Sequence, residues 1–155
     1  MSRLAAIRRM HPGYILIVLD IVGLLIASYL SVVELSGGVP ACGPLKGCET
    51  VAASEYSEIL GVPVAVYGVG LSLILLALAI AWTWTDRPVL LDAHYGLSLI
   101  GVIFEIYFIG LQIFVIGAVC VWCTAYGISL ILRFFVAFWI WLKRGRFSAR
   151  FGDHG

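Results

Sequence analysis

Residues 89–142 decide the fold of this chain: VLLDAHYGLSLIGVIFEIYFIGLQIFVIGAVCVWCTAYGISLILRFFVAFWIWL. Within this segment only Asp92, Glu105 and Arg133 are charged. At about 1.5 Å per residue a single helix of this length would measure roughly 80 Å, whereas the hydrocarbon core of a bilayer is about 30 Å thick. The segment must therefore fold back on itself. We expect the turn near residues 114–118, where glycines interrupt the apolar pattern and the cysteines begin.

The composition of the whole chain is too apolar for a soluble domain. Of its 155 residues, 62% are hydrophobic and 12% charged, against about half and a quarter in soluble proteins. These values exclude a cytosolic enzyme and a disordered chain. A net charge of +1 without a basic stripe also excludes a nucleic-acid-binding protein.

Four apolar stretches are long enough to cross a membrane, at about 14–35, 63–84, 89–113 and 118–142. A backbone in lipid must satisfy its own hydrogen bonds, so these stretches are predicted to be helices. The sequence therefore predicts an all-α integral membrane protein with a bundle of four transmembrane helices. We expect one domain over residues 1–155, with an outer loop over residues 36–62.

The basic residues predict the orientation of the chain in the membrane. Both ends of the spanning region are basic, and the residues concerned are Arg3, Arg8, Arg9, Lys143, Arg144, Arg146 and Arg150. Cytoplasmic segments are rich in Lys and Arg, and an even number of spans returns the chain to its starting side. We therefore expect a multi-pass protein of the cell membrane with both termini in the cytoplasm and all four cysteines on the extracytoplasmic side.

Cys120-Val-Trp-Cys123 is a C-x-x-C motif at the predicted outer start of the fourth helix. Residues three apart share a helix face, and their separation is compatible with a disulfide. The helix dipole stabilises a thiolate at this position and lowers its pKa. These properties suit thiol–disulfide exchange.

Cys42 and Cys48 form a second pair, in the predicted outer loop. Two glycines and a proline lie between them, so we expect this pair to be exposed and mobile, with Lys46 adding positive potential. A mobile pair on the oxidising side of the membrane suits an electron relay. Two other interpretations remain open: scaffolding disulfides, and a four-cysteine zinc site, although C-x5-C spacing is unusual for zinc.

Residues 50–60 place apolar side chains at helical spacing between the loop cysteines and the second span. This segment is too short to cross the membrane, so we expect a short interfacial helix that caps the outer face. An ordinary amphipathic connector explains the pattern equally well.

The order of these motifs resembles that of the vitamin K epoxide reductase family over about residues 14–142. The resemblance rests on Cys42-x5-Cys48, Ser54, Gly61-Val-Pro63, Tyr67-Gly68 and Cys120-x-x-Cys123. Ser28-Tyr29-Leu30 in the first span and Ile113-Phe-Val-Ile116 before the C-x-x-C motif also fit.

The resemblance implies a four-helix bundle around a quinone pocket, with no metal. Electrons would enter at the loop pair, pass to the C-x-x-C motif and leave to a quinone of the menaquinone or ubiquinone type. By position, Cys42 would meet a thioredoxin-like protein, Cys48 would exchange with Cys120, and Cys123 would face the quinone. Many microbial members carry a fused thioredoxin-like domain; here we expect a separate extracytoplasmic partner.

The resemblance also nominates residues for the quinone pocket and its cap. Ser54 and Tyr67 match family positions, and Trp122 and Tyr126 are candidates to pack on a quinone ring. The animal enzymes carry an amide early in the second helix and a tyrosine four residues after the last cysteine. Here those positions are Val64, which by this match is also a predicted pocket residue, and Gly127. This difference favours plain quinone reduction over epoxide chemistry.

Asp20, His94, Glu105 and Arg133 are polar residues inside predicted spans, and such residues are candidates for function. We expect His94 close to the cytoplasmic interface, Arg133 extended toward the headgroups, and Glu105 to be the most buried of the four.

The sequence as a whole predicts a membrane thiol:quinone oxidoreductase that supports extracytoplasmic disulfide formation. One rival is the bacterial disulfide-bond B type of quinone-linked thiol oxidase, although its C-x-x-C motif belongs to an earlier loop. The other is a non-catalytic membrane scaffold or metal-binding protein with structural disulfides.

Overall fold

The computed structural model describes residues 12–43 and 47–151, with side chains as far as residue 144. In this part of the chain, four helices are long and apolar enough to cross a membrane. They are α1 (Gly13–Leu35), α3 (Val64–Thr85), α4 (Pro88–Leu111) and α5 (Val121–Phe151). The predicted all-α membrane bundle is therefore confirmed.

The four long helices pack in a ring, in which α1 and α4 each contact both α3 and α5. Three buried apolar layers fill the ring. Leu16, Trp82 and Ala137 belong to the layer at one end, and Leu75 and Leu130 to the middle layer. The third layer contains the cysteines. The helices thus run up and down, and the loops that hold the cysteines meet at one end.

The turn between α4 and α5 falls at Gly117, within the expected residues 114–118. A π-helix (Gln112–Ile116) extends α4, and Gly117 ends it with a φ of 70°. The amide of Ala118 then donates a hydrogen bond to the carbonyl of Gln112. Because this left-handed turn needs glycine, the chain reverses at Gly117 and α5 begins at Val121, not at residue 118.

The outer loop contains a short helix, α2 (Gly47–Ala52), but the helix predicted over residues 50–60 is wrong beyond Ala52. A 3₁₀ turn (Glu55–Ser57) follows, and then β1 (Glu58–Ile59) pairs antiparallel with β2 (Val62–Pro63).

Local chemistry explains why the predicted helix stops. The Ser54 hydroxyl donates to the carbonyl of Val51 and closes the last turn of α2. Leu60 and Gly61 then adopt φ values of 57° and 76°, which are the left-handed values of a two-residue hairpin turn. Leu60 is 95% exposed, so its side chain does not pack on the bundle.

Three of the four polar residues inside the spans form one buried cluster. His94 Nε2 lies 3.1 Å from Asp20 Oδ2, and Arg133 Nη1 lies 3.5 Å from Asp20 Oδ1. Arg133 also donates hydrogen bonds to Ser72 and Ser129. These contacts join α1, α3, α4 and α5 through the centre of the bundle.

Two expectations for these polar residues are therefore wrong. Arg133 does not extend toward the headgroups, because a carboxylate and two hydroxyls bind its terminal nitrogens inside the bundle. The bare backbone of Gly23 gives it room, since a Cβ there would collide with the guanidinium. Asp20, His94 and Arg133 are all more buried than Glu105.

We predict that Asp20→Asn destabilises the bundle by about 3–5 kcal/mol, because it leaves the Arg133 charge buried without its counter-ion. Unfolding of the purified protein in detergent measures this loss. Asp92→Asn is the matched control, because Asp92 is exposed on α4 and its replacement should cost less than about 0.5 kcal/mol. Equal stability of the two variants would contradict a structural ion pair.

Candidate functional site

The four cysteines lie together at one end of the bundle. Cys48 and Cys120 are buried in one apolar cluster with Val51 and Phe108, and Cys42 and Cys123 pack against that cluster. The structure therefore brings the two sequence-predicted pairs into one site, although more than seventy residues separate them in the chain.

The loop pair is joined: Cys42 and Cys48 form a disulfide, with their Cα atoms 6.0 Å apart. The expectation that both are exposed is wrong for Cys48, which is 1% exposed because α2 packs it onto α4 and the start of α5. Cys42 is half-buried and is the more accessible of the two. Lys46, predicted to add positive potential here, lies outside the described residues.

Close backbone contact places Cys48 next to Cys120. Gly47 precedes Cys48, and Val119 precedes Cys120. A Cβ at Gly47 would collide with the carbonyl oxygen of Val119, so glycine is required for the two chain segments to approach this closely.

Cys120 occupies the position just before the first residue of α5, where backbone N–H groups have no carbonyl partner within the helix. Its sulfur accepts hydrogen bonds from the Cys123 thiol, at 2.6 Å, and from the Cys123 amide, at 3.2 Å. These hydrogen bonds to Cys123 lower the pKa of Cys120 below its ordinary value. Of the two thiols in the motif, Cys120 is thus the one whose thiolate these hydrogen bonds favour.

Gln112 holds the backbone of this helix start. Its Oε1 accepts a hydrogen bond from the amide of Cys120 at 2.8 Å, and its side chain is fully buried. Sequence reasoning missed this residue. The signal in the sequence was one uncharged amide side chain within the otherwise apolar stretch where α4 passes into the π-helix.

A cavity of about 320 Å³ opens between the four long helices and the hairpin of the outer loop. Most of its lining is apolar. Its polar lining groups are Glu34, Ser57, Tyr67, Glu105, Cys123 and Tyr126. Of the four cysteines, Cys123 is the one that contributes to this lining.

Three of the five predicted pocket or cap residues line the cavity: Val64, Tyr67 and Tyr126. The hydroxyl of Tyr67 donates to the carbonyl of Ile59 and ties the hairpin to α3. The Tyr126 hydroxyl donates to the carbonyl of Gly68 and lies 3.2 Å from Ser72 Oγ.

Trp122 lies outside the cavity lining, so it is not placed to pack on a ring bound there. Its indole N–H donates to the carbonyl of Ala41 at 3.0 Å, and its ring packs on Tyr29. The Tyr29 hydroxyl accepts from the Ala41 amide in turn. Trp122 therefore holds the residue before Cys42. Ser54 is also outside the lining and closes α2 instead.

Within the described ranges, 12–43 and 47–151, no cluster of three or more His, Cys, Asp or Glu side chains has the arrangement of a metal site. The chemistry that the geometry offers there is thiol–disulfide exchange between two adjacent cysteine pairs, one of which borders an apolar cavity.

Comparison with known families agrees with this geometry. Residues 14–138 match the model of the Vitamin K epoxide reductase family, which is most of the chain. The chain belongs to this family. No curated protein matches it significantly. Family membership makes the chain a membrane thiol–disulfide oxidoreductase.

We predict that Cys123→Ala raises the pKa of Cys120, because it removes the thiol that donates to the Cys120 sulfur. A hydrogen bond to a charged group contributes about 1.5 kcal/mol or more, so the thiolate fraction at neutral pH should fall about tenfold or more. Ultraviolet thiolate absorbance against pH, with Cys42 and Cys48 replaced by Ala, measures the change. Cys123→Ser keeps a hydrogen-bond donor and should retain most of the lowering of the Cys120 pKa. Identical titration midpoints for Cys123→Ala and Cys123→Ser would refute the prediction.

Proposed function

We propose that this protein is a membrane thiol:quinone oxidoreductase that carries electrons from an extracytoplasmic dithiol to a quinone. One observation supports this above all. Cys120 belongs to the same buried cluster as Cys48 of the loop disulfide, whereas its neighbour Cys123 lines the apolar cavity. The two pairs thus stand in series between the outer loop and the cavity.

The first transfer moves two electrons from the partner to the loop pair. A thiolate of a separate thioredoxin-like protein attacks Cys42, the more accessible sulfur, and releases Cys48 as a thiolate. The second thiol of the partner then attacks the mixed disulfide at its own sulfur. The partner leaves as a disulfide, and Cys42 becomes a thiolate.

The second transfer moves the same two electrons to the helix pair. Cys48 attacks Cys120 of the Cys120–Cys123 disulfide and releases Cys123. Cys42 then attacks Cys48, which restores the loop disulfide and releases Cys120. The lowered pKa of Cys120 supports this last step, because a thiol of low pKa is a better leaving group.

The final transfer oxidises the helix pair. The Cys120–Cys123 dithiol closes to a disulfide and passes two electrons and two protons to the quinone, which becomes a quinol. The cavity suits such a ligand, because it is mainly apolar with a few polar groups on its wall. Val64, Tyr67 and Tyr126 would contact the ring. Menaquinone and ubiquinone types both fit this chemistry.

The proposed orientation places the cysteine end of the bundle outside the cytoplasm. The basic residues at both ends of the chain support cytoplasmic termini. The direction of flow would then be disulfide formation in the extracytoplasmic space, where disulfides persist.

A donor-selective assay tests the proposal. We predict that Cys42→Ala abolishes quinone reduction by a reduced thioredoxin-like protein but leaves substantial turnover with a small dithiol, which can diffuse to the helix pair. Cys48→Ala should behave similarly. Cys120→Ala and Cys123→Ala should lose turnover with both donors. Quinone reduction by Cys123→Ala with the small dithiol would contradict the order of the pairs, and a wild-type protein without turnover would favour a scaffold.

The proposed relay also predicts that Cys48 and Cys120 exchange directly. In the Cys42→Ala/Cys123→Ala variant, Cys48 and Cys120 should form a disulfide under mild oxidation, because their preceding backbones are in contact. The loss of two free thiols per protein measures the formation of this disulfide. Adding Gly47→Ala should reduce the yield several-fold, because the new Cβ displaces the loop from Val119. Gly110→Ala, in open space on α4, is the control; equal yields with Gly47→Ala would exclude this contact as the route.

A further inference from the structure

Glu105 is a buried acid in the wall of the cavity. It lies within α4, is 7% exposed, and lines the cavity together with Cys123 and Tyr126. Its Oε1 has no hydrogen-bond partner among the described residues. A carboxyl group in such surroundings costs free energy, and residues of this kind inside membranes usually have a function.

The opposite helix makes room for this carboxyl group. A Cβ at Gly127 would lie 2.7 Å from both Cγ and Oε1 of Glu105, so the carboxyl group rests against bare backbone of α5. Cys123 and Gly127 are four residues apart and share a face of that helix, about 6 Å from each other. Glu105 therefore borders the cavity about one helical turn from Cys123.

The other polar groups nearby are already engaged or lie elsewhere. The Tyr126 hydroxyl donates to the carbonyl of Gly68. The Arg133 guanidinium is bound by Asp20 and Ser129. Glu34 lines the cavity too, but it also borders a second, outer pocket with Glu49 and Glu58. Glu105 is thus the deeply placed acid of the cavity wall, and its Oε1 has no hydrogen-bond partner among the described residues.

We propose that Glu105 is the catalytic acid–base residue of the quinone half-reaction: through a water molecule it takes the proton of the Cys123 thiol, and it then gives that proton to a carbonyl oxygen of the quinone. This inference rests on the function proposed above. It assigns the proton transfer to a residue that the thiol chemistry alone does not require.

The step balances as follows. The Cys120–Cys123 dithiol loses two electrons and two protons as the sulfur–sulfur bond forms. The quinone gains the two electrons. One proton travels from Cys123 through Glu105 to the nearer quinone oxygen, the Cys120 proton goes to water, and water supplies the second proton of the quinol.

Single-turnover kinetics test the assignment. The full-length protein is first reduced with a small dithiol, freed of donor, and mixed with ubiquinone-1. We expect Glu105→Gln to slow quinone reduction by about 100-fold or more, the usual contribution of a positioned acid, with a change of less than threefold in the quinone concentration at half-maximal rate. Glu105→Asp should restore part of the rate. Asp92→Asn, which replaces an exposed carboxylate on the same helix, should reduce quinone at the wild-type rate.

Chemical rescue distinguishes proton transfer from a packing role. Adding formate to Glu105→Ala should raise its rate at least tenfold, because a small acid can occupy the vacated space, and formate should not accelerate the wild type. A wild-type rate in Glu105→Gln, a loss confined to quinone affinity, or no rescue by formate would each overturn the assignment. If the reduced wild type itself failed to reduce ubiquinone-1, the proposed function would fail instead.

Discussion

The contact between the backbone of Gly47 and that of Val119 is the constraint on which the redox arrangement depends. A disulfide in a loop and a thiol pair on a helix exchange only if their sulfurs can meet. Gly47 brings Cys48 to Cys120, and the Trp122 indole holds the other end of the loop beside Cys42. These two contacts hold Cys42 and Cys48 at the end of the bundle that carries Cys120.

The contacts that stabilise the bundle lie below this site, away from the cysteines. The Asp20–His94–Arg133 cluster joins all four long helices, while the apolar layer at the far end closes the ring. Tyr126 connects the two regions, because its hydroxyl bonds Ser72, which also accepts from Arg133. The cavity can therefore stay partly open at the cysteine end without loosening the bundle, since the ionic cluster and the apolar layer hold the helices below it.

Sequence reasoning predicted the four spans and the two cysteine pairs because hydropathy and cysteine spacing are local signals. It failed where partners come from distant positions. The sequence alone suggests that Arg133 extends to the headgroups, because its neighbours Asp20, Ser72 and Gly23 come from other helices. It also failed at Leu60, where an apolar residue at helical spacing adopts a left-handed turn. The prediction that Trp122 lines the ring pocket rests on its aromatic character. That character does not indicate which side of α5 the side chain faces.

Spacing on one helix explains how a single pair of sulfurs can serve two different chemistries. Cys120 precedes the first turn of α5 and packs against the loop, whereas Cys123, three residues later, faces the cavity. A disulfide between them would be open to thiols on one side and to an apolar ligand on the other, and the protein body would keep these two reactants apart. In the proposed relay, the sulfur that each reactant can reach sets the route of the electrons, and the reduction potentials of the reacting pairs set their direction.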